Sequence, residues 1–244
     1  MEHKKYKVAV IVSYYKNATL TPIMCDISIK RLSEQENIDY CIIAVNDATP
    51  DNTIRRLKKA KIPNLFLLNN NKNKGLTKSL IRGVEFAKKL GVEYIAIQDA
   101  DDYSTTNRFF KQSKFLDTHP GIDVVGSYAR IVNKRNEYKR LKEVPLDHED
   151  IVELFKIKNS MIHSSVMIRS KMFDDIAYNH KHYYAQDYGL WTQAVVHGFK
   201  FANLSEPLVT RCKHRRSISV EPTQRRVQRR IFLKIRTAYL KAMQ

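Results

Sequence analysis

Four continuous apolar runs are spaced along the first hundred residues: 7–13 (KVAVIVS), 40–46 (YCIIAVN), 64–68 (NLFLL) and 94–98 (YIAIQ). Runs that do not alternate with polar positions suit strands covered on both faces, as in a parallel sheet. Between them the apolar period lengthens to that of a helix. Leu76, Leu80, Val84 and Ala87 recur on one face of 75–90, and Gly91 stands where a helix stop is expected. Thr21-Pro22 opens another helix running to about Glu34, and Asp51 is placed to cap a third through Ala60. Such alternation predicts βαβ units with right-handed crossovers.

Beyond Asp102 the pattern changes. Residues 106–118 and 188–197 read as helices, 124–132 and 164–169 as strands, with short strands at 200–203 and 208–211. No repeat and no Pro/Gly/Ser-rich linker divides the chain. The economical reading is one α/β domain over 1–220, with a nucleotide-binding half (1–102) and a mixed, acceptor-side half (103–220). Pro222 starts a last helix in which Val227, Ile231, Ile235 and Tyr239 recur every fourth position between Arg and Lys, so 221–244 reads as a basic amphipathic helix.

Hydrophobic content of 43% and charged content of 28% are ordinary for a soluble protein, whereas a net charge of +18 over 244 residues is not. Such a charge calls for anionic company: phosphates, nucleic acid or an anionic membrane surface. From Arg211 onward eight Arg and three Lys face one acid, Glu221, so that segment carries +10. Its apolar stripe points first to packing on the body, second to membrane contact and last to nucleic acid; no nucleic-acid partner is expected. Cys25, Cys41 and Cys212 match no zinc or redox spacing, and Cys41 reads as a core residue. A reducing compartment follows. No run of about 18 apolar residues marks a membrane span, and the polar start 1–7 lacks a signal-peptide core. The expected location is cytoplasmic, with a peripheral membrane position as the variant.

In an open α/β sheet, ligands gather at the carboxyl ends of the strands. Three such ends carry candidate chemistry: Ser13-Tyr14-Tyr15-Lys16-Asn17, Asn46-Asp47-Ala48-Thr49-Pro50-Asp51 and Gln98-Asp99-Ala100-Asp101-Asp102. Three carboxylates in four residues repel one another unless a cation is shared, and hard Mg²⁺ or Mn²⁺ takes oxygen ligands while leaving room for substrate phosphates. The competing reading is that Asp ends strands and caps helices routinely, Asp102 capping the 106–118 helix.

These pieces, with NKGLTKSL at 73–80, VVGSYARI at 124–131, IHSSVMIR at 162–169, AQDYGLW at 185–191 and FKFANLSEPLVTRCKH at 199–214, fall in an order that resembles glycosyltransferase family 2, inverting enzymes of GT-A fold. The resemblance runs from about Lys7 to Ser219. It implies a mostly parallel central sheet flanked by helices, a nucleotide-sugar donor (UDP by default) and a glycan or lipid-linked acceptor. It also implies a base-binding role for Tyr15 and Asp47, with Ser13 beside them. Asp99 and Ala100 fall near the ribose, Asp101 at the Mn²⁺ or Mg²⁺ position, Asp187 at the catalytic base and His214 near metal or diphosphate. The chain departs from the family at Asn46, Gln186 and Ile81, where an acid, Glu and Asn are commoner.

Other residues carry two readings each. Lys78 and Arg82, one helical turn apart, are candidates for phosphate contact or solvated surface charge. Asp187 can be a helix N-cap, and His163 a packing or hydrogen-bonding residue. Trp191 reads as core, and Tyr183-Tyr184 as acceptor-stacking or surface aromatics. Two other functions stay open. A nucleotidyltransferase usually has a glycine-rich loop after the first strand, and Ser13–Asn17 has no glycine. A nucleic-acid-binding protein leaves the strand-end carboxylates unexplained.

Overall fold

The computed structural model describes residues 6–15, 22–50, 52–133, 135–212 and 222–243. Lys16, Asn17, Thr21, Asp51, His214 and Ser217, all singled out in the sequence, lie outside these. The four apolar runs form β1 (Val8–Tyr14), β2 (Tyr40–Asn46), β3 (Leu65–Asn69) and β4 (Tyr94–Asp99), with α1 (Pro22–Ser33), α2 (Thr53–Lys59) and α3 (Leu76–Lys89) as crossovers. They pair in parallel in the order β3-β2-β1-β4. The chain first builds outward from β1 to β3 and then returns to β1's other edge. That reversal opens a crevice at the carboxyl ends of β1 and β4.

Both faces of β1, β2 and β4 are buried, as the non-alternating runs require, while the outer strand β3 is only half-buried. Ala9, Ile11, Ile43 and Ile97 face a core completed by α3, while Val8, Val10, Val12 and Ile42 face one completed by α1. Gly83 lets α3 approach: a Cβ there would meet Ile11 Cγ2 at 2.6 Å.

The second half extends the same nine-stranded sheet in mixed directions. After β4 come β5 (Tyr103–Ser104), α4 (Arg108–Thr118), β6 (Val124–Val132), β7 (Tyr138–Lys142) and α5 (His148–Phe155). A short 3-10 turn, His163–Ser165, leads to β8 (Met167–Arg169); then follow α6 (Met172–Asp175), α7 (Gln186–Val196), β9 (Phe201–Cys212) and α8 (Pro222–Ala242). β8 lies antiparallel between β4 and β6, β9 runs parallel to β6, and β7 pairs with β6. The two short strands expected at 200–203 and 208–211 are one strand, whose register against β6 shifts around Tyr128. Exposed Ser205 and Glu206 mark that irregularity and hide the continuity from a hydropathy reading.

α8 packs on the body, as its stripe suggests. Ile235 and Tyr239 join the core, Phe232 stacks on Tyr188 of α7 with ring centroids 4.3 Å apart, and Arg236 hydrogen-bonds the Lys156 carbonyl. Among the described residues no helix is long and apolar enough to cross a membrane.

Candidate active site

The strand-end carboxylates sit at the β1/β4 crevice. Register places Ser13 of β1 directly beside Asp99 of β4. Buried Gln98 holds the turn that follows: its amide donates to the Ser28 hydroxyl (2.9 Å) and the Asp102 carbonyl (3.1 Å), and it accepts from Ser104 Oγ (2.5 Å). Behind the turn, wholly buried Arg108 donates to the carbonyls of Ile97 and Val166, both at 3.0 Å. Burial pulls its pKa down to about 9, against the opposing pull of Asp102 and Asp99.

Asp102 is not the cap of the following helix. α4 begins at Arg108 behind Asn107, and the Asp102 carboxylate is buried, joining three segments. It accepts from Ser164 Oγ at 2.5 Å, and from Arg211 Nε and the Cys212 amide, each at 3.2 Å. Burial pushes its pKa up to about 7; Arg211 opposes the shift, and Asp101 and Asp99 add to it. Asp99 moves the other way: burial would raise it, but His163, Arg211 and Arg108 outweigh burial and hold it below its ordinary value.

Asp101 is half-buried between these two. Its charge adds to the upward shift of Asp102. It offers a hard carboxylate oxygen of the kind Mg²⁺ or Mn²⁺ takes, although among the described residues no three His, Cys, Asp or Glu side chains are grouped to hold a metal ion.

Asp47 is almost fully buried, and its carboxylate braces the loop ahead of α3. Oδ1 accepts from Asn70 Nδ2 and the Lys74 amide, and Oδ2 from the Gly75 amide, each at 2.8 Å. Gly75, at φ +85°, supplies the backbone conformation that this loop needs. Arg82 is not a solvated charge: it donates to the Asn69 carbonyl (2.5 Å) and Asn70 Oδ1 (2.6 Å), tying α3 to the end of β3. Lys78 is exposed on α3, Tyr15 is 40% exposed at the end of β1, and Ala100 is buried in the turn.

Asp187 stands in the first turn of α7. The helix N-cap is Ala185, in the left-handed conformation at φ +54°, so Asp187 lies inside the first turn and is not the cap. There the macrodipole favours a negative charge. Its Oδ2 accepts from Asn159 Nδ2 at 2.7 Å and its Oδ1 from the Tyr188 amide at 2.8 Å. Asn159 is itself fixed, its Oδ1 accepting from the Met161 amide at 3.1 Å.

A buried pair, His163 and Tyr178, stands beside Asp99. His163 lies 3.8 Å from Asp99 Oδ1 through Nδ1 and hydrogen-bonds Tyr178 Oη at 2.9 Å through Nε2. Tyr178's pKa is raised well above its ordinary value by burial, then by Asp187 and Asp99, so the hydroxyl lies within the field of both. His163 is thus the hydrogen-bonding residue expected of it, aimed at the site. Trp191 is core, and Tyr183 is 65% exposed beside Gly75. A surface hollow bordered by Lys7, Asp39, Phe110 and Asp117 opens at the amino end of β1, opposite this cluster.

The family model described as Glycosyl transferase family 2 matches residues 10–177. The chain belongs to glycosyl transferase family 2. An uncharacterized glycosyltransferase of Methanocaldococcus jannaschii, MJ1057, is 28% identical over 187 residues, covering 75% of this chain and 63% of that protein. Among solved structures, Staphylococcus aureus TarS 1–349 superposes with a TM-score of 0.70 at 17% identity, covering 94% of this chain and 65% of that one; TarS has also been solved with UDP and with UDP-GlcNAc. The mannosyltransferase PcManGT of Pyrobaculum calidifontis, in complex with GDP-Man and Mn²⁺, gives a TM-score of 0.66 at 14% identity over 91% of this chain and 61% of that one. The chain therefore spans just under two thirds of the length of these relatives. The fold is the GT-A α/β fold expected for the family.

Proposed function

We propose that this family 2 chain is an inverting glycosyltransferase that moves a sugar from a nucleoside-diphosphate donor to an acceptor hydroxyl. The observation that supports this reading is Asp99 at the end of β4, 3.8 Å from His163, which hydrogen-bonds Tyr178, a hydroxyl lying in the field of both Asp99 and Asp187. The nucleotide complexes of TarS and PcManGT support a diphosphate-sugar donor, with UDP the leading choice.

Each residue then has a physical task. Ser13 and Tyr15 border the nucleoside end, and Asp47 shapes that end by bracing Lys74–Gly75. Asp99, kept ionised by His163 and two arginines, suits hydrogen bonding to a ribose hydroxyl. Asp101 is the metal ligand, and a divalent cation held there supplies Lewis-acid neutralisation of charge on the departing diphosphate. Transfer proceeds through an oxocarbenium-like transition state. Asp187 takes the acceptor's proton as its oxygen attacks the anomeric carbon from the face opposite the leaving group, which inverts the centre.

A thermal-shift panel of nucleotide sugars, with and without Mn²⁺, tests the donor assignment. At a ligand concentration of about 100 Kd the native state gains about 2.7 kcal/mol, so a metal-enhanced rise in Tm is expected for at least one UDP-, GDP- or dTDP-sugar. No rise with any of them removes the reading.

A further inference from the structure

α8 has one side in the core and one side left exposed by the described residues. Phe232, Ile235 and Tyr239 lie on α7 and in the core beneath it. The outward side carries Arg226, Arg229, Arg230, Lys234 and Lys241, all exposed, with Leu233 45% and Met243 46% exposed among them. The helix contains seven Arg or Lys and no Asp or Glu. None of these outward cations takes part in an ion pair with the described residues.

The patch continues onto the body. Arg236 is fastened to the Lys156 carbonyl, and next to Lys156 stand exposed Lys158 and Ile157, the latter 65% exposed. Glu153, a carboxylate of that region, is engaged by Lys156. Two chain segments thus build one face in which unneutralised cations alternate with exposed aliphatic side chains.

We propose that this face docks the protein on an anionic lipid surface. The argument is charge complementarity with an added apolar component. Cations near such a surface are attracted through the negative potential of its headgroups, and aliphatic side chains among them can enter the headgroup boundary. A nucleic acid would use the cations and leave Leu233, Met243 and Ile157 without a partner. The described outward side of α8 also presents no aromatic ring for base stacking. Because α8 rests on α7, whose first turn holds Asp187, docking would fix the acceptor side of the molecule next to the lipid. The inference stands on α8 and the adjoining 156–158 segment and does not depend on the proposed catalytic roles.

The test is co-sedimentation of the full chain with phosphatidylcholine vesicles, with and without phosphatidylglycerol. Three proteins are compared: wild type, a charge variant (Arg226→Gln, Arg229→Gln, Arg230→Gln, Lys234→Gln) and an apolar variant (Ile157→Ser, Leu233→Ser). All six side chains are exposed or intermediate, so unchanged melting curves are expected. Wild type should bind only the anionic vesicles, and release as salt rises to about 0.5 M. With each cation worth about fivefold in partitioning, the charge variant should lose more than tenfold in binding; the apolar variant should lose less, but measurably. Equal binding of wild type and charge variant overturns the proposal. So does equal binding to neutral vesicles, or capture by an RNA oligomer that anionic vesicles do not compete away.

Discussion

At the residue scale, the roles implied by resemblance and the contacts actually made diverge most at Asn159 and Asp102. Asn159 carries no sequence signal: it lies 28 positions from Asp187, and only the fold brings its amide to 2.7 Å from that carboxylate. With the Tyr188 amide on Oδ1 and Asn159 on Oδ2, the Asp187 side chain has one orientation. On the proposed mechanism Asn159 is a positioning residue. Asn159→Ala should lower kcat by about tenfold to a hundredfold, the scale on which losing the geometry of a proton acceptor is felt. The KM for donor should be nearly unchanged. Unchanged kcat with a raised donor KM would mean that Asn159 serves the nucleotide instead. Asp102 shows the other kind of surprise. Its place in an acidic run suggests a helix cap, yet the run contains a solvent-facing part and a buried part. The buried part ties β4 to β9 and the 3-10 turn.

At the scale of elements, what was legible depended on periodicity. β1 to β4 lie within one residue of the apolar runs, because strands buried on both faces leave an uninterrupted signal. β7 (YKRLK) left none: it is an edge strand with exposed, charged side chains. α5, eight residues long, is too short to establish a helical period. β9 was divided because its bulge exposes Ser205 and Glu206. The α3/β1 contact shows how closely the elements fit. Gly83→Ala improves intrinsic helix propensity by up to about 1 kcal/mol, but its methyl would lie 2.6 Å from Ile11 Cγ2 in a closed core. Overpacking of that kind costs about 1–3 kcal/mol. A net loss of stability is expected, read as a lower urea midpoint at unchanged m value; an equal or higher midpoint would show that Ile11 can yield.

At the scale of the whole molecule, the charge and the chemistry separate. The +18 that invited a nucleic-acid reading is concentrated toward the C-terminal helix, whereas the carboxylates converge at the other functional centre, the β1/β4 crevice. The sequence order of the motifs was enough to indicate the family and the sheet. Their spatial meaning required the fold: Ser13 meets Asp99 through strand register, Asp47 turns inward to brace a loop, and Tyr178, hydrogen-bonded to His163, lies in the field of both Asp99 and Asp187. His214 lies outside the described residues, so its proposed approach to the diphosphate rests on the resemblance alone.

The most direct test of the central claim is Asp187→Asn, assayed in parallel for donor binding by calorimetry and for sugar transfer. The side chain keeps its size, and its remaining oxygen can still accept from Asn159, but it can no longer take a proton. Donor affinity should stay within about twofold while turnover falls by about 10²–10⁴-fold, the usual contribution of a positioned general base. Undiminished transfer in a variant that still binds the donor would contradict the assignment and the inverting mechanism built on it.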